Sequence, residues 1–190
     1  MPNHLLQFLK LFRDIPEEDE ILIASALESR KYKEGDYLFK AAKVCKELFF
    51  VCKGVIRIMV ENEKGKEVTH FFLKENQFCA ILDSFNNGTI AKESIQAACS
   101  AEILAISKTN LDQLYKQVPY LQLLLNQIIQ QALLDKIALR TDYLGKDSAT
   151  RYRIFMMRQA DIALQVSLSD IASYLDITPQ SLSRIRKNIR

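Results

Sequence analysis

Along the chain the apolar positions change period twice, and each change predicts a different architecture. Residues 5–29 carry helical spacing, with Leu5, Phe8, Leu9 and Phe12 in one stripe and Ile21, Leu22, Ala24 and Leu27 in a second, hinged at Ile15-Pro16. Acidic residues open the second helix, where they complement its dipole. From Arg30 short β-rich runs take over, at 37–39, 47–52, 55–60, 68–73, 94–98 and 101–107. Glu-Gly-Asp, Lys-Gly, Asn-Glu-Lys-Gly-Lys and Asn-Asn-Gly turns separate them, and many short strands at this spacing predict a small antiparallel barrel or jelly roll. After Ser107 helical spacing returns, first at Leu111, Leu114 and Tyr115 and then, beyond Pro119, in a long run that reaches Leu144.

In that run Leu121, Leu125, Ile128, Ala132 and Leu139 keep a 3-4 alternation, while Leu124, Leu133, Leu134 and Ile137 widen the apolar surface beyond one stripe. So much apolar surface calls for two partners. The pattern predicts that one side covers the barrel and that Leu121, Leu125, Ile128 and Ala132 pair with the same helix of a second subunit, giving a two-fold homodimer. A helix buried wholly in its own core fits the same pattern. A polar break at 146–149 follows, with Asp147 or Ser148 placed to cap a further helix through 151–157. The expected division is 1–118 for a sensor domain, 119–145 for a dimerisation helix and 146–190 for a C-terminal domain, an α+β chain overall.

The last stretch, from Val166 to Arg190, reads as a helix-turn-helix. Ser167 caps a helix that would bury Leu168, Ile171, Ala172 and Leu175, and the small Ala172 lets a second helix cross closely. The break falls at Leu175-Asp176-Ile177, where a positive φ is wanted and aspartate tolerates it. Thr178 then caps a second helix with Pro179 in its first position, and Leu182, Ile185 and Ile189 face the first helix. Gln180, Ser181, Ser183, Arg184, Lys187 and Asn188 are left off the packed side. Glutamine suits adenine edges, arginine suits guanine, and Arg186, Lys187 and Arg190 can neutralise phosphates.

Charge sharpens this picture. The net charge is only +3, yet residues 140–190 hold nine Lys/Arg against five Asp/Glu, whereas 1–139 hold seventeen against eighteen. A basic tail on a near-neutral body suits nucleic acid as a partner. Four cysteines show no C-x-x-C pairing and read as buried free thiols, with no metal site expected. The only histidines are His4 and His70, and no paired carboxylates, nucleophile sets or P-loop stand out, so no catalysis is expected. With no signal peptide and no segment of transmembrane length, a cytoplasmic protein without membrane contact is expected.

The order of helical lead-in, β-roll, long helix and helix-turn-helix resembles the Crp/Fnr superfamily, bacterial transcription regulators of the cyclic AMP receptor protein type. The resemblance covers nearly the whole chain. It is carried by Lys33-Glu-Gly-Asp-Tyr-Leu-Phe39, Leu48-Phe-Phe-Val-Cys-Lys-Gly-Val-Ile-Arg57, Ala101-Glu-Ile-Leu-Ala-Ile106 and Asp170-Ile-Ala-Ser-Tyr-Leu-Asp-Ile-Thr-Pro-Gln-Ser-Leu-Ser-Arg-Ile185. It implies a homodimeric DNA-binding regulator that reads a near-palindromic site, with RNA polymerase as a further partner. The DNA-facing set it implies is Thr178, Gln180, Ser181, Ser183, Arg184, Arg186 and Lys187, with Gln180, Ser181 and Arg184 where relatives contact bases. Asp176 departs from the family's turn glycine, and no β-wing is expected after the second helix.

The largest departure concerns the effector. The family's phosphate cassette resembles a Gly-Glu-Leu opening whose glutamate holds a ribose hydroxyl, followed by an arginine that pairs with the cyclic phosphate. Aligned without gaps, Ile81 stands at the glutamate and Ala91 at the arginine, with Lys92 beside it. Cyclic AMP is therefore not expected to bind in the family manner, and a less anionic small-molecule effector is expected near Ile81, Leu82, Ala91 and Lys92. An alignment that turns Lys92 inward would restore a phosphate anchor. A β-roll that binds a ligand or partner without using DNA stays open as the alternative function.

Overall fold

The computed structural model describes residues 2–63 and 65–189. In chain order the elements are helices α1 (Pro2–Lys10) and α2 (Glu17–Ser25), then strands β1 (Glu28–Tyr32), β2 (Tyr37–Phe39), β3 (Glu47–Lys53), β4 (Ile56–Glu61), β5 (Glu67–Leu73) and β6 (Phe78–Cys79). A short helix α3 (Leu82–Asn87) interrupts the strands before β7 (Glu93–Ala97) and β8 (Ala101–Ser107). The helices α4 (Lys108–Gln117), α5 (Pro119–Tyr143), α6 (Ser148–Arg158), α7 (Ala160–Ala163), α8 (Leu168–Tyr174) and α9 (Pro179–Ile189) complete the α+β fold. Arg190 and the side chain of Ile189, both assigned roles from the sequence, lie outside the described residues.

The strands form two four-stranded antiparallel sheets, β1-β8-β3-β6 and β2-β7-β4-β5, so the roll expected from the spacing is present. Leu48, Phe49, Phe50, Val51 and Cys52 of β3 are all buried because that strand is covered on both faces. Helix α1 covers it outside, where Phe50 packs against Phe8 at 5.5 Å and Phe78 at 4.9 Å between ring centres. Two strands were missed, β1 and the two-residue β6. Residues 28–29, read as the end of a helical stretch, and 30–32, assigned to no strand, instead form β1 on a sheet edge, with Glu28 opposite Ala105. Its Glu-Ser-Arg-Lys-Tyr sequence carries no apolar period, since an edge strand can face water and its Arg30 is bonded by Glu28 and Glu47.

The long helix requires a correction. Leu121 and Leu125, expected in a seam between subunits, are 1% and 4% exposed and belong to the core beneath the roll with Leu124; Ile128 and Ala132 are half-buried, Ile128 against that same core. A wide apolar surface allocates its faces by what the rest of the chain brings to it, and the roll took this one. The large apolar side chains left bare are Leu123, Leu133, Leu134 and Ile137 of α5 and Leu144 just beyond it, with exposures from 42% to 73%. With Gln127, Gln130 and Thr141, Leu123, Leu134 and Ile137 form a 4-3 stripe along α5.

The far end of α5 enters a second core. Tyr143 joins Tyr152 and Phe155 of α6, Ile162 of α7, and Ile171, Ala172 and Tyr174 of α8, but also Val55, Phe72 and Ala98 of the roll. Phe72 lies 5.2 Å from Tyr174 and 6.4 Å from Phe155, so the C-terminal helices share buried surface with the sheet.

Candidate nucleic-acid interface and effector pocket

Local chemistry builds the C-terminal motif. The Ser167 hydroxyl accepts the Asp170 N–H at 3.1 Å and opens α8, and Thr178 Oγ1 accepts the Ser181 N–H at 3.1 Å and opens α9. Between them Asp176 takes φ +53°, the left-handed conformation expected at that turn. Ala172 is fully buried at the crossing, with Ile171, Leu175 and Leu182 at 2% exposure or less. Leu168, expected in that core, is instead 43% exposed, while Tyr174 is buried in it.

On α9 the structure separates the residues expected to face DNA. Gln180, Ser183, Arg184, Lys187 and Asn188 are exposed, and Gln180, Arg184 and Lys187 form an i, i+4, i+7 line opposite buried Leu182. Ser181 is half-buried and its hydroxyl lies 2.9 Å from that of Thr178, so both hydroxyls serve the helix start. Arg186 is half-buried on the flank.

The opposite side of the motif is locked to the roll through groups that no local sequence signal connects. Arg57 of β4 donates from Nε and Nη2 to Gln96 Oε1 at 2.9 and 2.6 Å, from Nη1 to Thr69 Oγ1 at 3.1 Å and to Asp170, and from Nη2 to Glu67 at 3.2 Å. The Thr69 N–H donates to Ser173 Oγ at 2.9 Å, and Lys74 pairs with Asp161. Arg57 and Asp170 stand 113 residues apart. The one available clue was an arginine inside the otherwise apolar run Val55-Ile-Arg-Ile-Met.

The four residues expected around an effector line one cavity of about 340 Å³ between the 78–93 segment and α5. Ile81 and Ala91 are buried in its wall and Lys92 is exposed at its edge. Ser84 pins α3 by accepting the Cys45 N–H at 2.8 Å and donating to the Thr89 carbonyl at 2.6 Å. Asp83, also in the lining, accepts from Thr89 and Asn87, and those bonds hold its carboxyl below the usual range. Sequence reasoning missed the side chains that reach the cavity from elsewhere, His70 and Phe71 of β5 and Ile129, Leu133 and Lys136 of α5. Burial, with repulsion from Arg140, keeps the His70 pKa below its ordinary value. The Cys79 thiol in the same wall is pushed up to about 12 by burial and stays protonated and apolar.

Residues 29–118 match the family described as the cyclic nucleotide-binding domain. The cAMP-activated global transcriptional regulator CRP of Pasteurella multocida is 28% identical over 89 residues, 47% of this chain and 43% of that protein. Its Salmonella typhimurium counterpart is 24% identical over 106 residues, 55% of this chain and 50% of the relative. The alignments thus span about half the length of the curated relatives. Among solved structures, a putative transcriptional regulator of the Crp/Fnr family from Eubacterium rectale superposes with TM-score 0.72 at 18% identity, over 96% of this chain and 87% of that one. The c-di-GMP responsive global regulator CLP of Xanthomonas campestris gives 0.71 at 14%, over 92% and 91%. Among the described residues no helix is long and apolar enough to cross a membrane. Residues 29–118 thus carry the cyclic nucleotide-binding domain match, and nearly the whole chain shares the fold of these two solved regulators.

Proposed function

We propose that the protein is a homodimeric, sequence-specific DNA-binding transcription regulator, without catalysis of its own, whose effector domain has lost the cyclic nucleotide anchors. The observation that carries this reading is the line of Gln180, Arg184 and Lys187 on the open face of α9, a helix capped at its start and held from behind by a buried core. Side chains on a rigid helix face can present bidentate chemistry to base edges in a major groove. The curated relatives are named as transcriptional regulators, which supports the same reading. Selection of bound sites from random DNA, followed by affinity at increasing salt, tests it. A steep fall of affinity with salt and a near-palindromic preferred site are expected. A flat salt response with no selected site would leave a β-roll module that does not use DNA.

Two substitutions separate roles on α9. Arg184→Ala is expected to cost about 1–3 kcal/mol at the preferred site and to relax one base position. Lys187→Ala should weaken all sequences alike and lower the salt slope by about one. Fluorescence anisotropy on matched and mismatched duplexes reads both, and a uniform loss for Arg184→Ala would remove it from base reading.

Dimerisation rests on the bare stripe of α5. Leu123, Leu134 and Ile137 would close against the same residues of a second copy, setting two α9 helices about 34 Å apart. Ile137→Glu is expected to shift light scattering from dimer to monomer and to weaken binding to a full palindrome far more than to a half-site. An unchanged dimer mass would place the interface elsewhere.

A further inference from the structure

The cavity between α3 and α5 contains a charge that its apolar walls do not explain. Lys136 lies in the wall with its ammonium 5.9 Å from the centre of the Phe71 ring, and burial holds its pKa below the ordinary lysine value. Among the described residues no carboxylate forms an ion pair with it: Asp83, in the same lining, is bonded by Thr89 and Asn87, and Glu93 contributes its field to His70 instead. A desolvated ammonium facing an apolar space is unfavourable until an anion supplies the missing charge. Ile58, Leu73, Phe78, Ile81 and Ile129 supply apolar wall, Ser84, Thr89, Lys92 and Glu93 supply polar lining on one side, and about 340 Å³ falls in the size range of small-molecule sites.

We propose that this cavity binds an apolar molecule carrying a single carboxylate, of the fatty acid type, with the carboxylate on Lys136 and the tail against Phe71, Phe78, Ile81 and Ile129. The proposal rests on the reading that Ile81 and Ala91 leave the cassette without nucleotide anchors; Lys92 stays exposed at the cavity edge, and the half-buried positive charge in the wall is Lys136 of the long helix. A lysine is a point charge, adequate for one carboxylate, whereas a cyclic phosphate is held best by an arginine fork. The apolar part of the wall suits methylene groups. His70, near the same space, can add one hydrogen bond to the headgroup.

Calorimetric titration of the full chain with dodecanoate, 1-dodecanol and cyclic AMP tests this. Dodecanoate is expected to bind once per chain, and 1-dodecanol, which has the same tail without the charge, roughly tenfold or more weakly. Lys136→Met should remove that difference by weakening dodecanoate alone, and Lys136→Arg should retain it. Equal binding of acid and alcohol by the unaltered chain overturns the proposal, whatever the variants do. So does Lys136→Met with unchanged dodecanoate affinity, and if that variant only weakens self-association the ammonium belongs to a contact between copies. Micromolar cyclic AMP binding overturns the underlying reading of the cassette; failure of dodecanoate and cyclic AMP together overturns only the ligand class.

Discussion

Arg57→Met is expected to destabilise the protein by about 3–5 kcal/mol, because removing one member of a buried ion pair leaves the other charge without compensation. The Arg57 and Asp170 side chains are only 11% and 15% exposed. Loss of the guanidinium strands Asp170 on α8, the Gln96 carbonyl oxygen and the Thr69 hydroxyl at once, whereas Glu67, at 45% exposure, can turn to water and contributes little. A shift in melting temperature on the order of 10 °C accompanies a loss of this size. Asp170→Asn keeps an acceptor for Arg57 and should cost about 1–2 kcal/mol. Urea unfolding followed by circular dichroism measures both. Arg57 also joins the roll to the first helix of the C-terminal motif, so Arg57→Met should raise hydrogen exchange in 168–174 before it does so in β3 and β8. Wild-type stability and exchange in Arg57→Met would show that the contact between roll and motif does not depend on this arginine.

Gly54→Ala is expected to cost about 2–5 kcal/mol, well above Gly35→Ala. Both glycines hold a positive φ, +87° and +86°, which a side chain resists by about 1–2 kcal/mol. Their surroundings differ. A Cβ on Gly54 would sit 2.3 Å from the Ser100 carbonyl oxygen and 3.1 Å from Ala101 Cα, both backbone atoms, whereas a Cβ on Gly35 meets nothing within 4 Å. The turn between β3 and β4 would have to shift, at a further overpacking cost of about 1–3 kcal/mol. Val55 follows directly, is fully buried in the core shared with the C-terminal helices, and accepts the Ala98 N–H at 2.9 Å. Thermal unfolding of the two variants side by side is decisive, and equal losses would remove Ser100 as the cause.

Much of the candidate DNA interface was legible because its signals are short-ranged. Ser167 and Thr178 sit three residues before the N–H groups they cap, and Asp176 lies in a three-residue break whose geometry follows from the helices on either side. Gln180, Arg184 and Lys187 share a face because an α-helix has a fixed period. That Ile81, Leu82, Ala91 and Lys92 lie close together was legible too, since they sit on one segment that folds back to line one cavity. The strand β1 was not, because a polar edge strand needs no apolar alternation.

By itself, the sequence determined the succession of lead-in helices, strands and later helices, the caps, the positive-φ turn and the chemistry along the outer face of α9, since each depends on residues within a turn or two of one another. The tertiary structure decided what each apolar or charged face meets. It placed Leu121 and Leu125 under the roll and left Leu134 and Ile137 bare. It brought Arg57 to Asp170 across 113 residues, and it set Lys136 of α5 beside Phe71 of β5. A periodic stripe states that a face will be buried; only the packing of distant segments, competing for that face, settles which partner buries it.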